Sequence, residues 1–524
     1  MLLWQAARLL DQLWWRPRRL EHALHAQGLR GMRYRFLTGD VNDDSRQNRE
    51  ASSRPPMTPR CHDIGARVLP FLYGNVQEHG PQCISWFGPI PKVTITDPSL
   101  VREVMSNKLS RHIEKLKFPA LTGLLADGLK NHEGDKWAKH RRILNPAFHA
   151  EKLKLMLPAF IVCCEELVGR WAECVGPDGS WEVDVYPELQ SLTGNVLSQT
   201  AFGSSYLEGR RIFLLQSEQV GRLMTRVHNS GGASIELLGS SEPNGFCIVC
   251  AYMSFPTKNN RRMHQINKET ESILQGVIGK RMKAMQDGES TKDDLLGLLL
   301  ESNMTDTDEN GQSTLGMSAD EVMEECKLFY FAGMETTSIL LTWTIIVLSM
   351  HQEWQERARE EVLGLFGKHK LEYEGLNQLK IVTMILYEVL RLYPPGIAFH
   401  RKTYKEVEIG GIRYPAGVIL EMPVFYIHHD VDIWGDEVHE SRPDRFAEGI
   451  SKASKEPGAF FPFGWGPWIC IGQNFSLLEA KMALCMILRR FKFELAPSYT
   501  HTPHCVMMLR PMHGANIRFH TISS

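Results

Sequence analysis

The sequence predicts a mainly α-helical fold with small β-sheet regions, and three patterns carry that expectation. Apolar residues recur at spacings of three and four through most of the chain beyond residue 95. A capping box, Ser318-Ala319-Asp320-Glu321, opens a long apolar stretch that runs to Met350. Apolar and polar residues alternate only in short segments, at 85–95 and 406–421.

Composition narrows the function classes. With 524 residues, 43% of them hydrophobic, the chain can bury a large core. A formal net charge of -2 argues against a nucleic-acid scaffold, which usually carries a basic excess. Eleven scattered cysteines suit reduced thiols facing cytosol better than a disulfide framework. Cys247-x-x-Cys250 has no second pair and lies in an apolar run, so no metal or redox role is expected there.

Residues 2–15 read as an amphipathic helix. Gln5, Arg8, Asp11 and Gln12 share one face, and Leu3, Leu9, Leu10, Leu13 and Trp14 spread over the rest. Spanning hydrocarbon takes ~20 mostly apolar residues, but tryptophans followed by Arg16-Pro17-Arg18-Arg19 suit a membrane interface. An ordinary docking helix is the alternative. The expected organisation is a short membrane-associating helix at 1–20, a truncated anchor, then a basic, Pro-containing linker at 21–60 and one domain at 61–524. Within the linker, the polar run 40–59 ends in Arg54-Pro55-Pro56-Met57-Thr58-Pro59 and reads as an exposed loop.

The segment at 85–95, with Gly88-Pro89 at its centre, reads as a hairpin. Trp137 and Arg141 stand four residues apart on one helix face, where an indole N–H and a guanidinium can reach one anion. The same spacing also suits a plain amphipathic surface helix. The apolar and polar mixture at 236–255 precedes Pro256 and a basic run. The stretch from Ser318 to Met350 would extend ~50 Å as a helix. Its apolar part holds one charge, Glu335. A charge at a bilayer centre costs ~2.5–3.5 kcal/mol on insertion scales, so a central core helix is expected rather than a membrane span. Inside it, Ala332-Gly333-Met334-Glu335-Thr336-Thr337 offers a missing side chain, an acid and two hydroxyls. Gly333 would let a ligand approach, and a Thr hydroxyl can open the helix ladder to water. Helix packing at a glycine explains the same residues less specifically. Glu388 and Arg391 pair a carboxylate with a guanidinium among leucines, which suggests burial.

The most informative stretch is Phe461-Pro462-Phe463-Gly464-Trp465-Gly466-Pro467-Trp468-Ile469-Cys470-Ile471-Gly472. Its glycines allow turns and the close approach of a flat ligand. Phe475, Leu478, Met482 and Met486 then follow at helical spacing, placing Cys470 just before a helix N-terminus, as a ligand or a nucleophile.

Phe463-x-x-Gly466-x-Trp468-x-Cys470-x-Gly472 resembles the haem-binding loop of the cytochrome P-450 monooxygenases. One position departs, because the family has Arg, facing a haem propionate, where this chain has Trp468. Four further motifs follow the family order. The resemblance implies a P-450 fold with haem b between the central helix and the Cys-loop helix, and Cys470 as axial thiolate to the iron. It implies Trp137, Arg141 and Arg401 as propionate partners, Phe463, Gly466, Trp468 and Gly472 as haem contacts, and oxygen-activation roles for Thr336 and Glu335. Glu388 and Arg391, completed by Arg445 of Pro443-Asp444-Arg445-Phe446, would lock the fold. Leu328, Phe331, Ala332, Ile397, Ala398 and Met507 are the expected substrate lining. The loop at 236–255 would connect two roof helices and dip into lipid, or be a buried connector.

Asn145-Pro146-Ala147-Phe148-His149 and the run 152–158 are similar to the plant family numbered seventy-two, which oxidises terpenoids and hormones. The implied function is monooxygenation of an apolar small molecule on the cytosolic face of the endoplasmic reticulum membrane. No Gly-x-Gly-x-x-Gly opens a helix, so NADPH would act only through a partner, by resemblance the NADPH-cytochrome P-450 reductase. Lys139, Arg142, Arg489, Arg490 and Lys492 are candidate docking cations. Trp468 leaves open a haem-binding but catalytically impaired copy, and the apolar central run leaves open a membrane interaction protein without haem.

Overall fold

The expected long helix is present as Ala319–Met350, capped by Ser318, whose side chain accepts from the Glu321 N–H while Glu321 reaches back to the Ser318 N–H. It belongs to a computed structural model that describes residues 2–117, 125–203, 206–229, 257–288, 294–304, 316–367 and 369–522. Its most apolar 18-residue window is 72% buried inside the protein, so its apolarity serves the core. Helix Val185–Phe202 lies along it, with Phe202 stacked on Tyr330 at 4.2 Å. On another side Trp343 stacks on Tyr393 at 4.1 Å and donates to Leu509 O at 2.9 Å. Truncating so large a buried side chain to Ala costs about 3–5 kcal/mol.

Small sheets flank this helical body. The largest has six strands in the spatial order Arg30–Gly31, Gln82–Phe87, Ile90–Ile95, Ile419–Met422, Phe399–Thr403 and Ile113–Lys115. The expected hairpin is its second and third strands, paired antiparallel from Gln82 with Ile95 to Phe87 with Ile90. The alternating segment at 406–421 divides in two. Val407–Ile409 and Ile412–Tyr414 form a hairpin closed by Gly410 and Gly411, both at positive φ, and the chain then joins the large sheet at Ile419. Arg401 lies inside that sheet, opposite Leu420 on one side and Lys115 on the other.

The N-terminal reading needs correction. Leu2–Leu10, a π turn at Asp11–Trp15 and Arg16–Ala26 follow one another as helix, so the helix does not stop at Pro17. Proline has no N–H for the carbonyl four residues earlier, and that carbonyl, Leu13 O, instead accepts from Tyr34 Oη at 2.5 Å. Nor is 21–60 a linker. It carries the end of this helix, the first strand of the large sheet and a helix, Val41–Ser53. The polar run read as a loop is mostly that last helix. It buries only Val41 and Ala51 and is laced on its outer side by Arg46 with Asp43 and Glu50. So narrow an apolar contact leaves little periodicity to read. The loop at 236–255, with Cys247 and Cys250, lies outside the described residues.

The buried ion pair is built as the spacing implies. Arg391 Nε and Nη2 donate to the two oxygens of Glu388 at 2.8 and 2.7 Å, both side chains are buried, and the guanidinium also donates to His428 O, Val438 O and Glu440 O. Arg445 Nε approaches Glu388 at 3.8 Å, while its other nitrogens donate to Trp434 O and Glu437 O. Backbone carbonyls from the stretch His428 to Glu440, together with Arg445, thus converge on one charged centre.

Candidate functional site

The loop around Cys470 is held by its own backbone. Gly464 N–H donates to Phe461 O, and Cys470 N–H donates to Phe463 O at 2.8 Å. Gly464 and Gly466 adopt φ of 83° and 63°, in the region that favours glycine. Gly466 is doubly constrained, because a Cβ there would lie 2.5 Å from Met105 O. Gly472 differs from the expectation. Its φ is -88° and a Cβ would meet only Phe148, at 3.9 Å, so no turn demands glycine at 472. Helix Gln473–Arg490 follows at once, leaving Cys470 three residues before its start.

The Cys470 thiol lies deep among protein atoms yet remains accessible, as a side chain lining an internal cleft would be. Burial raises its pKa, while the Gly472 N–H and the nearby Arg141 act in the opposite direction. Those two groups would stabilise a thiolate once a metal displaced the proton.

Helix Gly134–Leu144 presents Trp137 and Arg141 to the loop, as their spacing implies. Arg141 Nη1 donates to Ile469 O at 2.9 Å, and the Trp137 ring lies 6.1 Å from that of Trp468. Arg401 reaches the same place from the sheet, its guanidinium 4.8 Å above the Trp468 ring. Burial pulls the Arg401 pKa down to about 10, so it stays charged and would gain from an anionic partner. Trp468 Nε1 is buried with no hydrogen-bond partner. An accessible thiol, two guanidiniums and an orphaned indole donor together fit a metal macrocycle bearing carboxylates. Haem meets that description. Lys115, which no motif marks, joins them. Its Nζ stands 5.6 Å over the Trp137 ring and donates to Leu129 O and His132 O, and burial brings its pKa to about 7.

The central helix passes the loop unbroken. Thr336 Oγ1 donates to Ala332 O at 2.7 Å, the back-bond to the preceding turn that a helical Thr makes in place of opening the ladder. Glu335 turns to the neighbouring helix, accepting from Tyr186 Oη at 2.7 Å and Gln190 Nε2 at 2.8 Å. Gly333 also serves packing, not ligand approach, since a Cβ there would lie 3.1 Å from Leu197. Thr337 Oγ1 donates to Ser476 Oγ at 2.9 Å, close to Glu479, whose carboxyl is fully buried and therefore held well above its usual pKa. Neither Ser476 nor Glu479 was legible as part of the site, because both read as ordinary helix positions.

The six expected lining residues differ in burial and surroundings. Leu328 is buried in the main core, Phe331, Ala332, Ile397 and Ala398 are half-buried, and Met507 packs elsewhere. Its neighbours are Leu125, Val220, Leu223 and Met263, from a loop and two other helices. Of the expected docking cations, Lys492 lies 3.7 Å from Glu356 and Arg489 donates to His369 O. Arg142 and Arg490 are exposed, and Lys139 is half-buried.

Known proteins match nearly the whole chain. Residues 68–514 match the family model described as Cytochrome P450. The chain is 52% identical over 519 residues to Cytochrome P450 CYP72A616 of Paris polyphylla, covering 99% of this chain and 96% of that protein. It is 46% identical over 524 residues to echinocystic acid 23-monooxygenase of Saponaria officinalis, covering 99% and 97%. A retinoic-acid-bound cyanobacterial CYP120A1 structure has the same fold, with a TM-score of 0.71 at 23% identity over 86% of this chain and 94% of that one.

Proposed function

Because the chain belongs to the cytochrome P450 family, whose fold implies a cysteine-ligated haem, we propose that Cys470 is the iron ligand of an NADPH-driven monooxygenase acting on an apolar, terpenoid-like molecule. The observation that carries this assignment is the meeting of Cys470, Arg141, Arg401 and the unpartnered Trp468 Nε1 at one cleft. When bound, a thiolate-ligated haem supplies the activation of dioxygen. The residues of the chain do the rest. Arg401, Arg141 and the Trp468 indole hold carboxylates. The Gly472 N–H keeps electron density on the Cys470 sulfur in place. Thr336 and, behind it, Glu335 hold protons close to the central helix wall, with the Thr336 hydroxyl able to turn from Ala332 O to a water.

The relative named as echinocystic acid 23-monooxygenase supports the monooxygenase reading. Electrons come from a flavoprotein reductase that oxidises NADPH, docking near Arg142 and Arg490, which are exposed. Residues 1–20 rest in the endoplasmic reticulum membrane interface on the cytosolic side. In support, Leu3, Trp4, Leu9, Leu10 and Trp15 are all exposed on that helix.

The test is reconstitution with the reductase, NADPH and a panel of plant terpenoids, together with the reduced, carbon-monoxide-bound spectrum. Wild type should show the red-shifted thiolate band and hydroxylate at least one compound, and Cys470→Ala should lose both. Persistence of the band in Cys470→Ala would refute the ligand assignment. Wild-type haem binding without turnover of any compound would favour a carrier.

A further inference from the structure

A second constellation uses none of the side chains that meet at the Cys470 loop. His132, His140 and Glu325 come from the segment before helix Gly134–Leu144, from that helix, and from the first third of the central helix. All three are buried, and one ligating atom from each lies within 4.8 Å of the others. His140 Nδ1 donates to Glu325 Oε1 at 2.6 Å, and the two imidazole rings meet edge to face at 4.4 Å. This pair leaves three ligand-type atoms without a hydrogen-bond partner: His132 Nε2, His140 Nε2 and Glu325 Oε2. His140 Nε2 does lie 3.5 Å from Glu321 Oε1, but Glu321 is already engaged by Lys136 and the Ser318 N–H. Gly128 closes the site on one side, because a Cβ there would lie 2.7 Å from Glu325 Oε2.

We propose that His132, His140 and Glu325 bind a divalent transition metal of the zinc class, tying the segment before helix Gly134–Leu144 to the central helix. Two imidazoles and one carboxylate form a borderline-soft donor set that zinc accepts, with a fourth position for water. Calcium and magnesium are disfavoured, since they require oxygen ligands throughout. A tetrahedral zinc places its ligand atoms about 3.3 Å apart. The metal would therefore part His140 Nδ1 from Glu325 Oε1 and hold all three ligand atoms at that spacing. The metal would engage one oxygen of Glu325 and one nitrogen of each ring, adding to the Lys136–Glu321 ion pair and the bond from Asp127 N–H to Glu324 that already join these elements.

The experiment uses the full-length, haem-loaded protein. It is stripped with a chelator, incubated with zinc chloride, desalted, and measured for zinc and iron per chain by mass spectrometry. A fluorescent zinc indicator gives the affinity. Wild type should retain one zinc that His132→Gln and Glu325→Gln lose, with affinity falling at least tenfold and iron per chain unchanged. Zinc-edge X-ray absorption should show two imidazole ligands. If Glu325→Gln fails to fold, His132→Gln carries the test, since its residue lies in a loop beside the helix. Wild type that retains no zinc overturns the proposal, as does zinc held equally by wild type and His132→Gln.

Discussion

Three glycines of the Cys470 loop can be replaced one at a time by alanine, and the structure assigns each a different outcome. At Gly466 the methyl group would meet Met105 O at 2.5 Å, and the residue sits at φ 63°. The left-handed conformation costs an L-residue about 1–2 kcal/mol. Contact with a backbone carbonyl, which no rotamer can relieve, adds an overpacking cost of about 1–3 kcal/mol. Gly466→Ala should therefore destabilise by about 2–5 kcal/mol. At Gly464 the nearest atom is 3.5 Å away and only the positive φ remains, so about 1–2 kcal/mol is expected. At Gly472 neither cost applies. Removing unfolded-state entropy there should leave stability unchanged or raise it by about 0.4–1 kcal/mol. Glycine at 472 then owes its presence to a ligand face, and Gly472→Ala should lower haem retention while the protein stays folded. Denaturant unfolding of the purified proteins orders the three, and haem per chain after gel filtration separates ligand approach from stability. Equal costs at 464 and 466 would refute the carbonyl-contact argument. Full haem retention by Gly472→Ala would refute the ligand-face argument.

Thr336→Ala removes the hydroxyl that donates to Ala332 O and leaves Cys470 untouched; NADPH consumption should continue in the reconstituted system while product falls and peroxide rises, and unchanged product per NADPH with substrate bound would oppose the proton-holding role. Trp468→Arg exchanges one indole donor for a guanidinium, and a hydrogen bond to a charged group exceeds a neutral one by roughly 1–2 kcal/mol. Haem transfer to an apo-globin should slow about tenfold, unless loss of the Arg401 stack at 4.8 Å cancels the gain; an equal or faster transfer would sink the idea. Arg391→Ala leaves Glu388 buried without its bidentate partner and opens three carbonyl contacts, so a loss of about 3–5 kcal/mol is expected, measured as failure to accumulate folded, haem-loaded protein at 37 °C. A soluble yield equal to wild type would contradict the locking role.

The sequence alone determined the features that rest on local chemistry. The capping box, the helix after Cys470, the hairpin read at 85–95 and the Glu388–Arg391 pair each depend on residues a few positions apart, whose spacing states their geometry. Cys470 itself was legible because its glycine-rich loop sets a thiol just before a run of apolar residues at helical spacing, and the helix begins there. Tertiary structure decided whatever depends on which surfaces meet. Gly333 reads as an opening for a ligand until Leu197 is seen to fill that side. Residues 40–59 read as a loop because the helix within them buries only Val41 and Ala51. Lys115 joins Arg401 and Trp137 through strand pairing across almost 290 residues of chain, and Glu335 finds Tyr186 and Gln190 on another helix. His132, His140 and Glu325 carry no motif at all, since their distances in the chain say nothing about the packing that brings them together. A spacing rule describes one helix or one turn; contacts between elements follow from how the apolar faces of the whole chain can be buried at once.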